Sequence, residues 1–166
     1  MRLSFIVITA VFGFTLPAVA AEKEAPPTVP IPRLSMDLAV KLAKASIDAC
    51  RKQSLNVAVT VIDRGGHPQV VLRDTLAMDL TLAISRQKAY TAMSFNSPTS
   101  QLEGRFPGAY SVPKVDGLLI AAGGLPITAG GSIIGGVGVS GAPSGEQDEK
   151  CAQAGIDAVK FDLESF

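Results

Sequence analysis

The stretch that most constrains the fold is Asp116 to Ala158, DGLLIAAGGLPITAGGSIIGGVGVSGAPSGEQDEKCAQAGIDA, which carries no charge between Gly117 and Ser144. A run of that kind has to be buried, and its glycine pairs decide how it is divided. Gly123-Gly124 and Gly130-Gly131 punctuate it into short apolar pieces. Gly117 to Ala122, the segment starting at Leu125-Pro126-Ile127, and Ser132 to Ser140 read as three strands joined by tight glycine turns. The missing charge predicts that both faces of these strands are covered. Gly141 to Gly145 break the sheet, and Glu146 to Leu163 read as a helix with small residues along one side.

Upstream the pattern changes to helices flanking a hairpin. Ser35 suits an N-cap and Asp37 the first turn of a helix. That helix places Met36, Ala39, Val40, Ala43, Ile47 and Cys50 on one face. Leu55 to Ile62 is β-branched and alternating, Asp63-Arg64-Gly65-Gly66 is a turn, and His67 to Arg73 returns as a second strand. Leu80 to Phe95 is a second helix, Pro98 opens a helical turn through Leu102, and Gly104 to Val112 is a loop. Taken together, the expectation is an α+β fold, a five-stranded antiparallel sheet with helices on both faces.

The first twenty residues belong to a different function. Arg2, the apolar run Leu3 to Leu16 and Ala18-Val19-Ala20 have the order of a cleavable signal peptide, cut after Ala20. The run is short for a membrane span, so the expectation is a periplasmic or secreted protein without a span in the mature chain. Residues 21–33, AEKEAPPTVPIPR, form a proline-rich arm, and 34–166 a single domain. Cys50 and Cys151 are the only cysteines. In an oxidising compartment they could form one disulfide, and two buried thiols is the other reading. Losing Arg2 with the leader leaves 14 basic residues against 15 acidic. No basic stripe points to nucleic acid, and low charge beside long apolar runs favours an oligomer.

Three blocks then resemble a known family. They are VTVIDRGGHPQVVLRD (59–74), SRQKAYTAMSFNSPTSQL (85–102), and GGLPI followed by IIGGVGVSGA and the acidic stretch leading to CAQAGIDA. In this order and spacing they resemble the GlcG/HbpS haem-binding family over roughly residues 35 to 160. The same domain ends some corrinoid adenosyltransferases of the PduO type. The resemblance implies a profilin-like α/β/α sandwich, a homo-oligomer, and haem or a related tetrapyrrole as ligand near a subunit boundary.

Read residue by residue, the candidates for such a site are few. His67 is the only histidine; it is either a plain turn residue or the haem or metal ligand. Arg86 and Lys88 could meet haem propionates, or Lys88 could pair with a carboxylate inside the fold. Tyr90 and Tyr110 are possible oxygen ligands. Thr99 offers an oxygen ligand or a helix cap beside Pro98, and Arg73 ends its strand where the family's pocket mouth lies. Met78 and Met93 read as core fillers. The acidic start Glu146 to Glu149 suits the helix dipole, with a weak cation site as a side reading. GGSIIGGVG does not fit GxGxxG, so its glycines are expected to admit a helix or ligand close to the sheet. Two rival functions stand beside haem binding. One is an enzyme acting on an organic acid or aromatic ring, for which one His and no clear nucleophile–base pair give little chemistry. The other is a structural or partner-binding oligomer.

Overall fold

A computed structural model describes residues 26–106 and 112–165. The leader, the start of the proline arm, Pro107 to Ser111 (with Tyr110) and Phe166 lie outside the described residues. Pro26 to Pro30 form neither helix nor strand and are exposed. From Ile31 onward the chain is one compact unit.

Several elements end where the sequence pattern places them, although the first strand begins at Ala58 rather than Leu55. Helix α1 spans Met36–Arg51 and begins where Ser35 Oγ accepts the N–H of Leu38. Strands β1 (Ala58–Asp63) and β2 (Pro68–Arg73) form the hairpin, and α2 spans Leu80–Phe95. Asn96 ends α2 in the left-handed conformation, φ 47°. A 3-10 turn follows at Thr99–Leu102, then β3 (Gly124–Ala129) and β4 (Ser132–Ser140). Ser144 caps α3 (Gly145–Asp157), and a short α4 (Lys160–Glu164) ends the described chain. The last helix is thus broken at Ala158-Val159, where one continuous helix was expected.

Among the described residues the sheet is antiparallel and has four strands, in the order β2-β1-β4-β3. The expected five-stranded sheet is corrected here, because Gly117 to Ala122 pairs with no strand. Three of its amides are taken elsewhere: that of Leu118 donates to the Val115 carbonyl at 3.1 Å, and two others donate to side chains. Thr91 Oγ1 accepts the N–H of Leu119 at 2.8 Å, and Glu103 Oε1 accepts that of Ala122 at 2.6 Å. Leu118 to Ile120 are only half-buried, so the run reads as a buried strand in sequence while lying as an irregular strap.

Alternation along β1 shows why two layers of helix are needed. Val59 and Val61 join the main core with α1 and α3 residues such as Leu42, Ile47 and Ala152. Ile62 packs with Ala89 and Met93 of α2, and Thr60 Oγ1 bonds Ser85 Oγ at 2.8 Å on that same side. Helices α1 and α3 therefore cover one face and α2 the other. Helices α1 and α3 run antiparallel: Gly155 near the end of α3 meets Leu42 of α1, while Cys151 meets Cys50 at the end of α1. The Cys50–Cys151 disulfide fixes that contact with Cα atoms 5.5 Å apart. Met36 and Val40, expected on the packed face of α1, are 62% and 44% exposed; Leu42 and Ser46 take the buried positions.

The glycines of β4 admit a helix. A Cβ on Gly136 would lie 2.6 Å from the Ala89 carbonyl oxygen, and one on Gly138 would run into the Ser85 carbonyl and lie 2.6 Å from the Ala89 nitrogen. Glycine at these positions brings the backbone of α2 down onto the strand.

Candidate functional site

One face of α2 builds a cleft. Ala83, Arg86, Gln87 and Tyr90 recur at helical spacing and line it, together with Gly66 and His67 of the β1–β2 turn and Asp116-Gly117. Its volume is about 470 Å³, within the ordinary range for a small-molecule site. The Tyr90 ring lies against the turn: a Cβ on Gly66, whose φ is +84°, would come within 2.8 Å of the ring. Gly117, φ +86°, approaches the same ring from the strap. Both corners need glycine for conformation, and the corner at Gly66 also needs it for space.

Asp63 organises the turn that carries His67. Its Oδ1 accepts the N–H of Gly65 at 2.8 Å and of His67 at 3.0 Å, and Arg33 Nη1 lies 3.4 Å from Oδ2. Burial pushes the Asp63 carboxyl up, but the two N–H donors and the neighbouring His67 and Arg33 charges outweigh it, and the group sits below its ordinary value. The His67 side chain is 81% exposed.

Of the described residues expected in a site, His67, Arg86 and Tyr90 meet in this cleft, and Arg73, Lys88 and Thr99 do not. Lys88 points to the opposite side of α2. There its ammonium donates to Asp148 Oδ2 at 2.8 Å and to the Val139 carbonyl at 3.1 Å, with both side chains almost wholly buried. Burial pushes the Asp148 carboxyl up; the hydrogen bond from Lys88 and the N–H of Ala142 draw it back without cancelling the rise. Thr99 neither caps a helix nor reaches the cleft: its buried Oγ1 accepts the N–H of Gly124 at 2.8 Å. Arg73 donates to the Ala77 carbonyl at the far end of β2, about 20 Å of strand from His67. Met93 is a core filler, whereas Met78 is 61% exposed.

A second cleft of about 470 Å³ lies on the Lys88 side, between α2, the strap and the start of α3, with Ile84, Leu119, Ala142 and Glu146 among its walls. The acidic start of α3 holds the fold together beside it. Asp148 pairs with Lys88, and Glu149 accepts from Ser100 Oγ at 2.7 Å and from the Gly123 N–H at 3.2 Å. Among the described residues no group of three or more His, Cys, Asp or Glu could hold a metal ion. The contacts of Asp63 and Glu103 escaped the sequence reading, and Glu149 was read only as part of the acidic helix start; Asp63 alone had a local signal, an Asp two residues before Gly in a turn.

The chemistry of the first cleft is that of ligation and charge pairing. It offers an imidazole, a phenol, a guanidinium, the Gln87 amide and the Asp116 carboxylate, with no Ser, Thr, Cys or Lys among its lining residues.

Comparison with known proteins bears on this arrangement. A family model described as "Haem degrading protein HbpS-like" matches residues 34–157. An uncharacterised protein from the dhaT-dhaS intergenic region of Citrobacter freundii is 31% identical over 132 residues, covering 76% of this chain and 92% of its own. The crystal structure of a double mutant of Streptomyces reticuli HbpS superposes with a TM-score of 0.77 at 38% identity, over 86% of this chain and 99% of that one. A crystal structure of a PduOC–heme complex gives a TM-score of 0.71 at 28% identity, over 76% and 95% of the two chains. With its four-stranded sheet, its glycine-lined helix contact and this match over most of its length, the chain belongs to the HbpS-like family, the GlcG/HbpS group that the PduO C-terminal domain also resembles.

Proposed function

We propose that this protein is an exported binder of haem or a related tetrapyrrole, and that the cleft between α2, the β1–β2 turn and the strap is the site. The observation that carries the reading is the meeting of His67, Tyr90 and Arg86 in one open cleft. The donor set fits the group: imidazole and phenolate both serve as axial ligands in haem proteins, and a guanidinium pairs with carboxylates such as propionates. Gly66 and Gly117 place no side chain beside the Tyr90 ring. Haem, when bound, would supply an iron centre able to change oxidation state. The residues of this chain would bind it, orient it and limit access to it. His67 is our choice of axial ligand, with Tyr90 as the alternative within the same cleft.

Family membership and the haem complex of a relative support the ligand class. Export is supported by the Cys50–Cys151 disulfide, since such bonds persist in oxidising compartments, beside the signal-like leader. Self-association is supported by exposed apolar side chains at Leu76, Met78 and Leu80 around the start of α2.

Haemin titration followed by absorbance tests the site. The expected result is a saturable Soret change in the wild type, lost in His67→Ala and weakened roughly tenfold in Arg86→Ala, as for loss of one partly exposed charge-assisted contact. Loss in Tyr90→Phe with survival in His67→Ala would transfer the ligand role to Tyr90. Absence of any saturable change in the wild type would overturn the reading.

A further inference from the structure

The Asp63 carboxylate is better anchored than the imidazole it faces. It is held from several sides, by the N–H groups of Gly65 and His67 on Oδ1 and by Arg33 near Oδ2, and its side chain is only 12% exposed. His67 Nδ1 lies 3.6 Å from the same Oδ1. Gly65 stands where the two groups approach. A Cβ there would lie 3.0 Å from His67 Nδ1 and 3.2 Å from Asp63 Oδ1. Gly65 is not among the glycines with positive φ, so its backbone does not require glycine; a side chain there would press on both the imidazole and the carboxylate.

We propose that Asp63 is a positioning residue for His67: it favours the proton on Nδ1, so that Nε2 keeps the lone pair available to a ligand, and Gly65 leaves room for the two to face each other. A neutral imidazole has one donor and one acceptor nitrogen, and an ionised carboxylate can only accept. The nitrogen facing Asp63 is therefore the protonated one. At 3.6 Å the contact is electrostatic rather than a hydrogen bond, and it biases the tautomer without locking the ring. A carboxylate behind a ligating histidine is a general way of orienting it and raising its basicity. The ligand in this proposal rests on the haem reading above; the tautomer does not.

The test uses the full chain with nitrogen-labelled histidine, as wild type, Asp63→Asn and Gly65→Ala. In Asp63→Asn the side-chain amide oxygen can still accept both turn N–H groups, and alanine is compatible with the backbone at position 65, so both variants are expected to fold. Imidazole nitrogen shifts at neutral to mildly alkaline pH should show mainly the Nδ1–H form in the wild type and a move toward Nε2–H in both variants. Haemin affinity should fall about 10–100-fold in both, the usual effect of removing such a partner. Equal tautomer populations in all three proteins would overturn the proposal, even with haemin bound normally. A tautomer shift without haemin binding in the wild type would uphold the positioning role and remove the haem reading instead.

Discussion

Lys88 and Asp148 are 60 residues apart in sequence and 2.8 Å apart in space, with side chains 6% and 4% exposed. Gly123 closes over them: a Cβ at that position would lie 2.7 Å from the ammonium. Removing one partner leaves an uncompensated buried charge, so Lys88→Met is expected to cost about 3–5 kcal/mol in urea unfolding. Replacing both, as Lys88→Met with Asp148→Leu, should recover most of that loss, because an apolar pair of similar volume needs no desolvation of charge. The pH dependence follows from the sign of the Asp148 shift. Its folded value lies above the ordinary 3.8, so its favourable contribution is present below the unfolded value and is lost as pH rises through the folded one. Without Lys88 the carboxyl is pushed further up, and the urea midpoint of Lys88→Met should fall as pH rises from about 4 toward neutrality. In sequence, Lys88 reads as a propionate partner or as pairing with a carboxylate, and nothing near it in the chain identifies Asp148 as that carboxylate.

Among the elements, α2 joins the fold to the site. One of its faces presents Arg86, Gln87 and Tyr90 to the cleft, and another lays Ser85 and Ala89 on the backbone of β4. The second contact works only because Gly136 and Gly138 have no side chains. Gly138→Ala would press a methyl group into helix backbone, which cannot rotate away, and is expected to cost at least about 3 kcal/mol, the upper part of the overpacking range. Gly130→Ala is the control. Its φ is +54° with open space around it, so only the left-handed backbone penalty of about 1–2 kcal/mol applies. Comparable losses in the two variants by chemical denaturation would refute this account of how α2 is seated. The glycine spacing in β4 already indicated a close approach. That the approaching body was a helix depended on where α2 returned after the hairpin.

For the molecule as a whole, the disulfide is the longest covalent constraint. It joins residues 101 apart and fastens α1 to α3 over the same face of the sheet. Reduction, or Cys50→Ala with Cys151→Ala, should lower stability by about 2–4 kcal/mol, chiefly by freeing the unfolded chain. An unchanged unfolding midpoint with and without reductant would show that packing around Leu42, Ile47 and Ala152 holds the two helices unaided.

What the sequence determined by itself was whatever neighbouring residues decide. The ends of α2, the extent of β4, the Asp63–Gly66 turn and the cap at Ser35 follow from propensity, periodicity and local hydrogen bonding. The tertiary structure alone decided which apolar runs became sheet. Gly117 to Ala122 looks as strand-like as its neighbours, yet the amides of Leu119 and Ala122 go to Thr91 and Glu103 and that of Leu118 to the Val115 carbonyl. It also decided that His67, Arg86 and Tyr90 share a cleft while Arg73, Lys88 and Thr99 do not. Those outcomes rest on partners tens of residues away, chosen by burial and by the need to satisfy each polar group, and no short window of sequence records that choice.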